Sequence, residues 1–299
     1  MNFQEAVREY QANPTKENLD VLTSALANEM TLDEKIYMLS GHGAMQTMID
    51  MLKTGRNYNV HALPAGGCKR LGVPPVLFTD GPRGVVMGKS TCFPVSMLRA
   101  SAFDTDLEYR IGKAIAAEAI AQGANFFGGV CINLVRNPRW GRTQESYGED
   151  PHVLGEFGVA LTKSIQEEGM IACPKHYALN SIEDLRFYVN VECDNRTLHE
   201  VYLPHFKKCV EAGALSVMGA YNRYDEFHCC GNKTVLTDLS NCSRDSSVWN
   251  CRLARARRWK SVSRRTISAS GHLVAGYSMM PISYMWATTA RKLCRARWM

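Results

Sequence analysis

The sequence predicts an α/β fold in which short buried strands alternate with amphipathic helices. Three apolar runs, which end near residues 79, 135 and 177, are short and nearly continuous, as expected of parallel strands covered on both faces. Polar side chains follow each run. Parallel strands place their carboxyl ends at one edge of a sheet, so these side chains should converge on one site. That convergence favours a (β/α) TIM-like barrel over a doubly wound sheet.

The first predicted elements are helices. Residues 1–30 read as a polar helical extension that breaks at Asn13-Pro14. Thr31 and Glu34 have the spacing of a capping box, which predicts that a helix begins there. A loop rich in Gly and Met is predicted to follow over residues 41–67.

A strand predicted over residues 71–79 ends in Asp80 and a Gly-Pro turn. An acidic side chain at the end of a buried strand is either a ligand-binding group or a turn-capping group, and the strand alone does not distinguish the two. Residues 104–123 then have helical periodicity, with Gly123 as the C-terminal stop.

The densest cluster of charge lies between a buried strand predicted over residues 124–135 and a helix predicted to start at Asp150-Pro151 and to stop at Gly169. Three Arg and three acidic side chains occupy residues 136–150. One interpretation is a solvated loop held by weak surface ion pairs. We favour a functional loop, because the next strand ends in a second polar cluster.

That second cluster is Lys175-His176, near the end of an apolar strand predicted over residues 170–180. Successive side chains of a regular strand point to opposite faces, so both could reach one ligand only if the backbone is distorted there. We therefore predict a distortion, such as a cis peptide bond before a residue other than proline.

Three further elements complete the predicted alternation. They are an exposed strand over residues 187–194, a helix that a second capping-box pattern opens at Thr197 and that stops at Gly213, and a strand over residues 215–222 that ends in Tyr221-Asn222.

Composition narrows the class of protein. The 299 residues are 45% hydrophobic, enough for a large core, and the N-terminal segment has no signal-peptide pattern. No run of 18 apolar residues predicts a membrane span. The eleven Cys lack disulfide-framework or zinc spacing, so we expect buried free thiols, a cytoplasmic location, and neither a metal nor another cofactor.

Several motifs now occur in order over about residues 30–238 and together resemble family-3 glycoside hydrolases of the β-glucosidase type. They are Thr79-Asp80-Gly-Pro, Asn137-Pro-Arg-Trp-Gly-Arg142, Glu145-Ser-Tyr-Gly-Glu-Asp-Pro151, Lys175-His176, Ser216-Val-Met-Gly-Ala-Tyr221-Asn222 and Asn232-Lys-x-x-Leu-Thr-Asp238. The resemblance implies a (β/α) barrel followed by an α/β sandwich domain. It also implies retaining hydrolysis of O-glycosidic bonds, in which an Asp attacks the anomeric carbon and a Glu of the second domain protonates the leaving oxygen.

The resemblance also implies roles for particular residues. The substrate would be a small oligosaccharide or glycoside that ends in a β-D-glucosyl-type residue. The implied substrate-binding residues are Asp80, Arg142, Lys175 and His176 on one sugar ring, with Arg186 and Tyr221 near the nucleophile side of the pocket. Glu145, Glu149 and Asp150 are interpreted as groups that position an arginine or cap a helix, rather than as catalysts.

The family pattern ends at about residue 238. The resemblance implies a nucleophilic Asp near Leu253, but no Asp or Glu follows Asp245. Because retaining hydrolysis needs two carboxyl groups, we expect this chain to lack catalytic residues and activity. Residues 239–299 hold 12 of the 35 Lys and Arg but one of the 29 Asp and Glu. A frameshift or retained intron, a basic nucleic-acid-binding arm and a divergent packed segment are the three interpretations of this irregular tail, of which the first is favoured.

The predicted organisation is thus an N-terminal helical extension over residues 1–30, a partial barrel over 31–238 and an atypical basic tail over 239–299. Two other functions stay open beside that of a truncated hydrolase. One is a non-catalytic sugar-binding protein, and the other is an interaction protein that acts through its basic tail. No recognised nucleic-acid-binding module supports the latter.

Overall fold

The structure, a computed structural model, describes residues 1–40 and 59–241. Its α-helices are α1 (Phe3–Ala12), α2 (Lys16–Glu29), α3 (Leu32–Met38), α4 (Ser96–Ala100), α5 (Thr105–Ala121), α6 (Pro151–Glu167), α7 (Asn195–Thr197), α8 (Pro204–Glu211) and α9 (Lys233–Asn241). Its strands are β1 (Leu63–Ala65), β2 (Val76–Thr79), β3 (Phe126–Cys131), β4 (Ile171–Tyr177), β5 (Asn190–Val191), β6 (Met218–Gly219), β7 (Arg223–Tyr224) and β8 (Phe227–His228).

The main sheet has the strand order β1-β2-β3-β4-β6. Strands β2, β3, β4 and β6 are parallel, and β1 pairs antiparallel with β2 at one edge. A helix follows each of the first three parallel strands, so the sheet curls as the first part of a TIM-like barrel, as predicted. Among the described residues β6 is the last strand of this sheet, and the barrel is incomplete.

The central strands β3 and β4 are buried on both faces, which explains why the strands are mainly apolar rather than alternating. On one face, Phe127 of β3 belongs to a core shared with Ile115 of α5, Leu161 of α6 and Phe206 of α8. On the other face, Phe78, Phe126 and Ile171 belong to a second core to which α1 and α2 contribute Phe3, Leu19, Leu22 and Leu26. The N-terminal helical extension is thus packed onto the sheet.

Capping residues in the sequence predicted most of the helix ends correctly. Asp150 accepts hydrogen bonds from the backbone N–H groups of His152 and Val153, and Pro151 is the first residue of α6. The Thr31–Glu34 capping box is formed. Gly123 follows α5 with a φ of 83°, a backbone conformation that glycine adopts without steric cost.

Three expectations were wrong in detail. The helix predicted to open at Thr197 begins at Asn195, because the carboxylate of Asp194 accepts the backbone N–H of Thr197 and is the true cap. The exposed strand predicted over residues 187–194 shrinks to β5, because turns around Leu185 take up the backbone N–H groups of Tyr188 and Val189. The strand predicted over residues 215–222 shrinks to the two residues of β6.

The loop predicted over residues 41–67 is also partly wrong, because it contains strand β1. Residues 41–58, including the predicted helix stop at Gly41, lie outside the described residues, as do residues 242–299 with Leu253. In the described part of the chain, no helix has both the length and the apolar character needed to cross a bilayer.

A buried ion pair anchors the loop that leaves β2. Arg99 of α4 lies 3.2 Å from the Glu108 carboxylate of α5, and both side chains are almost fully buried. Arg99 also donates to the carbonyl oxygen of Pro82 at 2.9 Å, and the Tyr147 hydroxyl donates to Glu108 at 2.6 Å. Burial raises the pKa of Glu108, although Arg99 and Tyr147 act in the opposite direction. The group therefore joins α4 and α5 to the loops that follow β2 and β3.

We expect Arg99→Met to lower the free energy of unfolding by about 3 kcal/mol, because Glu108 would stay buried without its cation. Urea denaturation followed by tryptophan fluorescence measures this change. The control is Arg196→Met, which removes an exposed pair with Glu200 and should change stability by less than about 0.5 kcal/mol. Equal effects of the two substitutions would contradict the structural role of the Arg99–Glu108 pair.

Candidate functional site

The predicted polar clusters meet at the carboxyl ends of the parallel strands. Asp80 follows β2, Arg142 lies in the loop after β3, and Lys175 and His176 lie in β4. The structure joins these four residues through two contacts, one between Lys175 and Asp80 and one between Arg142 and His176.

Lys175 and Asp80 form a short ion pair across the sheet. Lys175 Nζ lies 2.6 Å from Asp80 Oδ1, although β3 separates their two strands. Lys175 is buried, and the Asp80 carboxylate is partly exposed. Burial alone would raise the pKa of Asp80, but the charge and hydrogen bond of Lys175, together with the backbone N–H of Gly81, lower it below its ordinary value of 3.8. Asp80 is therefore ionised at neutral pH and is a strong hydrogen-bond acceptor.

Glycine in β3 allows the loop after β2 to lie close to that strand. A Cβ atom on Gly129 would lie 2.7 Å from the carbonyl oxygen of Gly81. Any larger residue at this position would push away the turn that follows Asp80. The absence of a side chain at Gly129 thus permits the Asp80 turn to approach β3.

Arg142 is held by two partners. Its Nε and Nη2 atoms donate to the two carboxylate oxygens of Glu145 at 2.9 and 2.6 Å, and Nη1 lies 2.9 Å from Nε2 of His176. The prediction that Glu145 positions an arginine is confirmed. A guanidinium has five N–H groups, of which these contacts use three. Two N–H groups remain on a half-buried cation whose orientation is fixed.

His176 is neutral in this setting. Burial, followed by the positive charges of Arg142, Lys175 and Arg186, lowers the pKa of His176 well below its ordinary value. The imidazole therefore accepts from Arg142 rather than competing with it as a second cation. The peptide bond between Lys175 and His176 is cis, which confirms the predicted backbone distortion.

Arg186 and Tyr221 meet in an adjoining cluster. The Arg186 guanidinium lies 5.1 Å from the ring centroids of both Phe187 and Tyr221, within cation–π range. Arg186 Nη1 also donates to Glu183 at 2.5 Å, and the indole N–H of Trp140 donates to the same carboxylate at 3.1 Å. Glu183 therefore ties the loop after β4 to the loop after β3.

The charges of the site balance in pairs. Each of the three carboxylates binds a cation, in the pairs Asp80–Lys175, Glu145–Arg142 and Glu183–Arg186. With His176 neutral, the site has no net charge but many strong donors and acceptors. This arrangement suits a neutral ligand rich in hydroxyl groups better than an anion or a cation. In the described part of the chain, no group of three His, Cys, Asp or Glu has metal-site geometry.

Three residues of the site were not predicted from the sequence. Asn59 accepts the backbone N–H of Asp80 at 2.6 Å, Asn133 makes three hydrogen bonds to His176, and Glu183 binds Arg186. Asn59 and Glu183 lie in irregular segments without a strand or helix pattern. Asn133 lies two residues beyond the end of β3 and inside the strand predicted over residues 124–135, and its polar side chain within that apolar run was the one available signal.

The glycosyl hydrolase family 3 N-terminal domain model matches residues 66–241, more than half of the chain. The chain belongs to glycosyl hydrolase family 3. A β-glucosidase from Kluyveromyces marxianus is 35% identical over 75% of this chain, and one from Bacteroides ovatus is 35% identical over 66%. This chain covers 25% and 28% of their lengths, respectively. It thus spans about a quarter of the family-3 relatives it matches.

Solved structures of family-3 enzymes agree with the fold. The structure of β-glucosidase 3B from Thermotoga neapolitana in complex with glucose has a TM-score of 0.67 and 29% identity, and the match covers 76% of this chain and 32% of that one. The Kluyveromyces marxianus β-glucosidase in complex with glucose has a TM-score of 0.64 and 35% identity over 72% of this chain and 25% of that one. The resemblance seen in the motifs and the TIM-like barrel are both confirmed.

We expect Asp80→Asn to weaken the acid dependence of folding. A carboxyl whose pKa is lowered on folding adds stability above its unfolded pKa, near 3.8, and that stability is lost as pH falls through the lower folded pKa. Wild type should therefore lose unfolding free energy below pH 3.8 more steeply than the variant. At pH 7 the variant should be about 3 kcal/mol less stable, because Lys175 stays buried without its anion.

Urea denaturation at a series of pH values measures both effects. Asp20→Asn is the matched control, because Asp20 is exposed and its substitution should leave the acid slope and the stability at pH 7 as in wild type. An Asp80→Asn variant that retains the full acid slope would show that the Asp80–Lys175 pair does not form.

Proposed function

We propose that this chain carries the sugar-holding part of a β-glucosidase-type glycoside hydrolase and that it binds a terminal β-D-glucosyl-type residue. The observation that carries the proposal is the charge-balanced cluster of Asp80, Arg142, Glu145, Lys175 and neutral His176. A sugar ring presents neighbouring hydroxyls that both donate and accept. Asp80 offers a charged acceptor, and Arg142 and Lys175 offer charged donors, so each hydroxyl contact is charge-assisted.

The relatives support the class of ligand. Two relatives 35% identical to this chain are β-glucosidases, and the two solved structures described above are complexes with glucose. We propose that Arg186 and Tyr221 border the same ring, because Arg186 contributes to the electrostatic field at His176 and stacks against Tyr221. A small oligosaccharide or glycoside is the proposed partner of the site.

We further propose that the chain does not hydrolyse its ligand. Retaining hydrolysis needs two carboxyl groups about 5 Å apart, one free to attack and one free to donate a proton. Asp80, Glu145 and Glu183 are each bound to a cation, which favours an acceptor or positioning role over proton transfer. Hydrolysis would then belong to the longer family-3 enzymes, of which this chain covers about a quarter.

The same observation favours a second candidate, a non-catalytic sugar-binding protein. Such a protein needs the balanced cluster but neither a nucleophile nor a second domain. The proposed organisation is a helical extension over residues 1–30, a partial barrel over 31–238 and a basic tail over 239–299. Two interpretations of the tail, an interaction segment and the product of a frameshift, stay predictions.

The proposed compartment is the cytoplasm. All eight cysteines of the described residues are free thiols, among them the buried Cys131, Cys173 and Cys209. Burial raises the pKa of each of these three thiols, so they stay protonated and unreactive at neutral pH. Free buried thiols are usual in a reducing environment.

Calorimetry with glucose and an assay on an aryl β-glucoside test the proposal on the 299-residue chain. We expect wild type to bind glucose and to give no turnover above the blank. Asp80→Asn should weaken binding by about tenfold or more, since it removes a charged acceptor, whereas Asp20→Asn should bind as wild type does. A folded wild type that does not bind glucose would end the proposal, and robust turnover would refute the proposed inactivity.

A further inference from the structure

Asn133 has an unusual concentration of contacts on a single residue. It lies just beyond β3, is almost completely buried, and makes three hydrogen bonds to His176. Its Oδ1 accepts from the backbone N–H of His176 at 2.8 Å and lies 2.8 Å from the ring Nδ1, while its Nδ2 donates to the carbonyl oxygen of His176 at 2.9 Å. One amide thus binds both the backbone and the ring of the same residue.

The two backbone contacts fix the orientation of this amide. Turning it over would place its NH2 group against the backbone N–H of His176 and its oxygen against the His176 carbonyl. Both contacts would become repulsive, at a buried position where neither group could turn to water. The atom that faces the ring Nδ1 is therefore the amide oxygen.

An amide oxygen can only accept, so Nδ1 of His176 carries the ring hydrogen. In the neutral imidazole the other nitrogen, Nε2, is then an acceptor. Its partner is Arg142, which has donors and no acceptor, at 2.9 Å. Two partners on opposite sides of the ring are therefore satisfied by the same tautomer, but only Asn133 is fixed in place, since Arg142 could turn about its contact with Glu145.

We propose that Asn133 is a positioning residue, which sets the Nδ1–H tautomer of His176 and thereby holds Arg142 in its ligand-binding orientation. In the other tautomer an N–H group on Nε2 would face the N–H group of Arg142 Nη1. Arg142 would lose one of its two anchors and could turn about its contact with Glu145. This inference rests on the proposed function only for its effect on sugar binding, since the tautomer is a property of the ligand-free chain.

The charged groups around the ring favour the neutral form that this arrangement needs. Arg142, Lys175 and Arg186 are the cations that act on His176. The nearby carboxylates Asp80 and Glu145 are bound to two of these cations. A proton on Nε2 in addition to that on Nδ1 would add a positive charge beside the guanidinium, so the ring is held neutral.

The test is ¹⁵N NMR of the 299-residue chain labelled at histidine, recorded without sugar, with the His176 signals identified by their loss in His176→Gln. In wild type we expect a protonated Nδ1 and an unprotonated Nε2. Asn133→Asp should keep the hydrogen on Nδ1, because one carboxylate oxygen still accepts from both the N–H and the Nδ1–H of His176, although the bond to the His176 carbonyl is lost. Asn133→Leu would leave the Nδ1–H buried against an apolar side chain, so it should show the Nε2–H form or a mixture, with Arg142 turned away from Nε2 about its contact with Glu145.

Calorimetry with glucose supplies the functional readout. Asn133→Leu should weaken binding by about tenfold, the value of one charge-assisted hydrogen bond that is no longer aligned. Asn133→Asp should bind more tightly than Asn133→Leu. Arg142→Met removes the partner of Nε2 but keeps Asn133, so it should retain the Nδ1–H tautomer. If Asn133→Leu fails to fold, the tautomer of Arg142→Met tests whether Asn133 sets the position of the ring hydrogen.

The inference is overturned if wild type has the hydrogen on Nε2, if folded Asn133→Leu keeps the Nδ1–H tautomer, or if Arg142→Met changes the tautomer. Failure of the proposed function is a separate result. A chain that shows the Nδ1–H form but does not bind glucose would contradict sugar recognition and leave the role of Asn133 on the tautomer intact.

Discussion

The ion pair between Lys175 and Asp80 is the interaction on which the site depends. It joins the ends of two strands that are not neighbours, because β3 lies between β2 and β4. The curl of the sheet brings these ends together, and Gly129 removes the side chain that would keep the Asp80 turn away from β3. The pair then places an anion and a cation side by side, where a hydroxyl group could contact both.

The remaining charges extend this arrangement. Glu145 and His176 hold Arg142 from two sides, and Glu183 holds Arg186 against two aromatic rings. Each pair lies at the end of a strand or in the loop that follows it, so the incomplete barrel still assembles the site. Balanced charge also explains why such a cluster can be buried, since each ion keeps a partner and a set of hydrogen bonds.

Much of this could be predicted from the sequence because the signals are local. Apolar runs showed the strands, capping residues such as Asp150 showed the helix ends, and Asp80, Lys175 and His176 could be expected to converge because parallel strands end at one edge. Asn133, Asn59 and Glu183 could not be assigned, because their roles depend on contacts with residues that are distant in sequence. The start of α7 was predicted wrongly, because Thr197 has the spacing of a capping box whereas Asp194, three residues earlier, is the residue that caps the helix.

The most direct test of this account is a crystal structure of the 299-residue chain soaked with glucose. The account predicts one glucose ring at the carboxyl ends of β2, β3 and β4, with its hydroxyls within hydrogen-bond distance of Asp80, Arg142 and Lys175. An intact ion-pair cluster with no sugar beside it at saturating glucose, or glucose bound elsewhere, would contradict it.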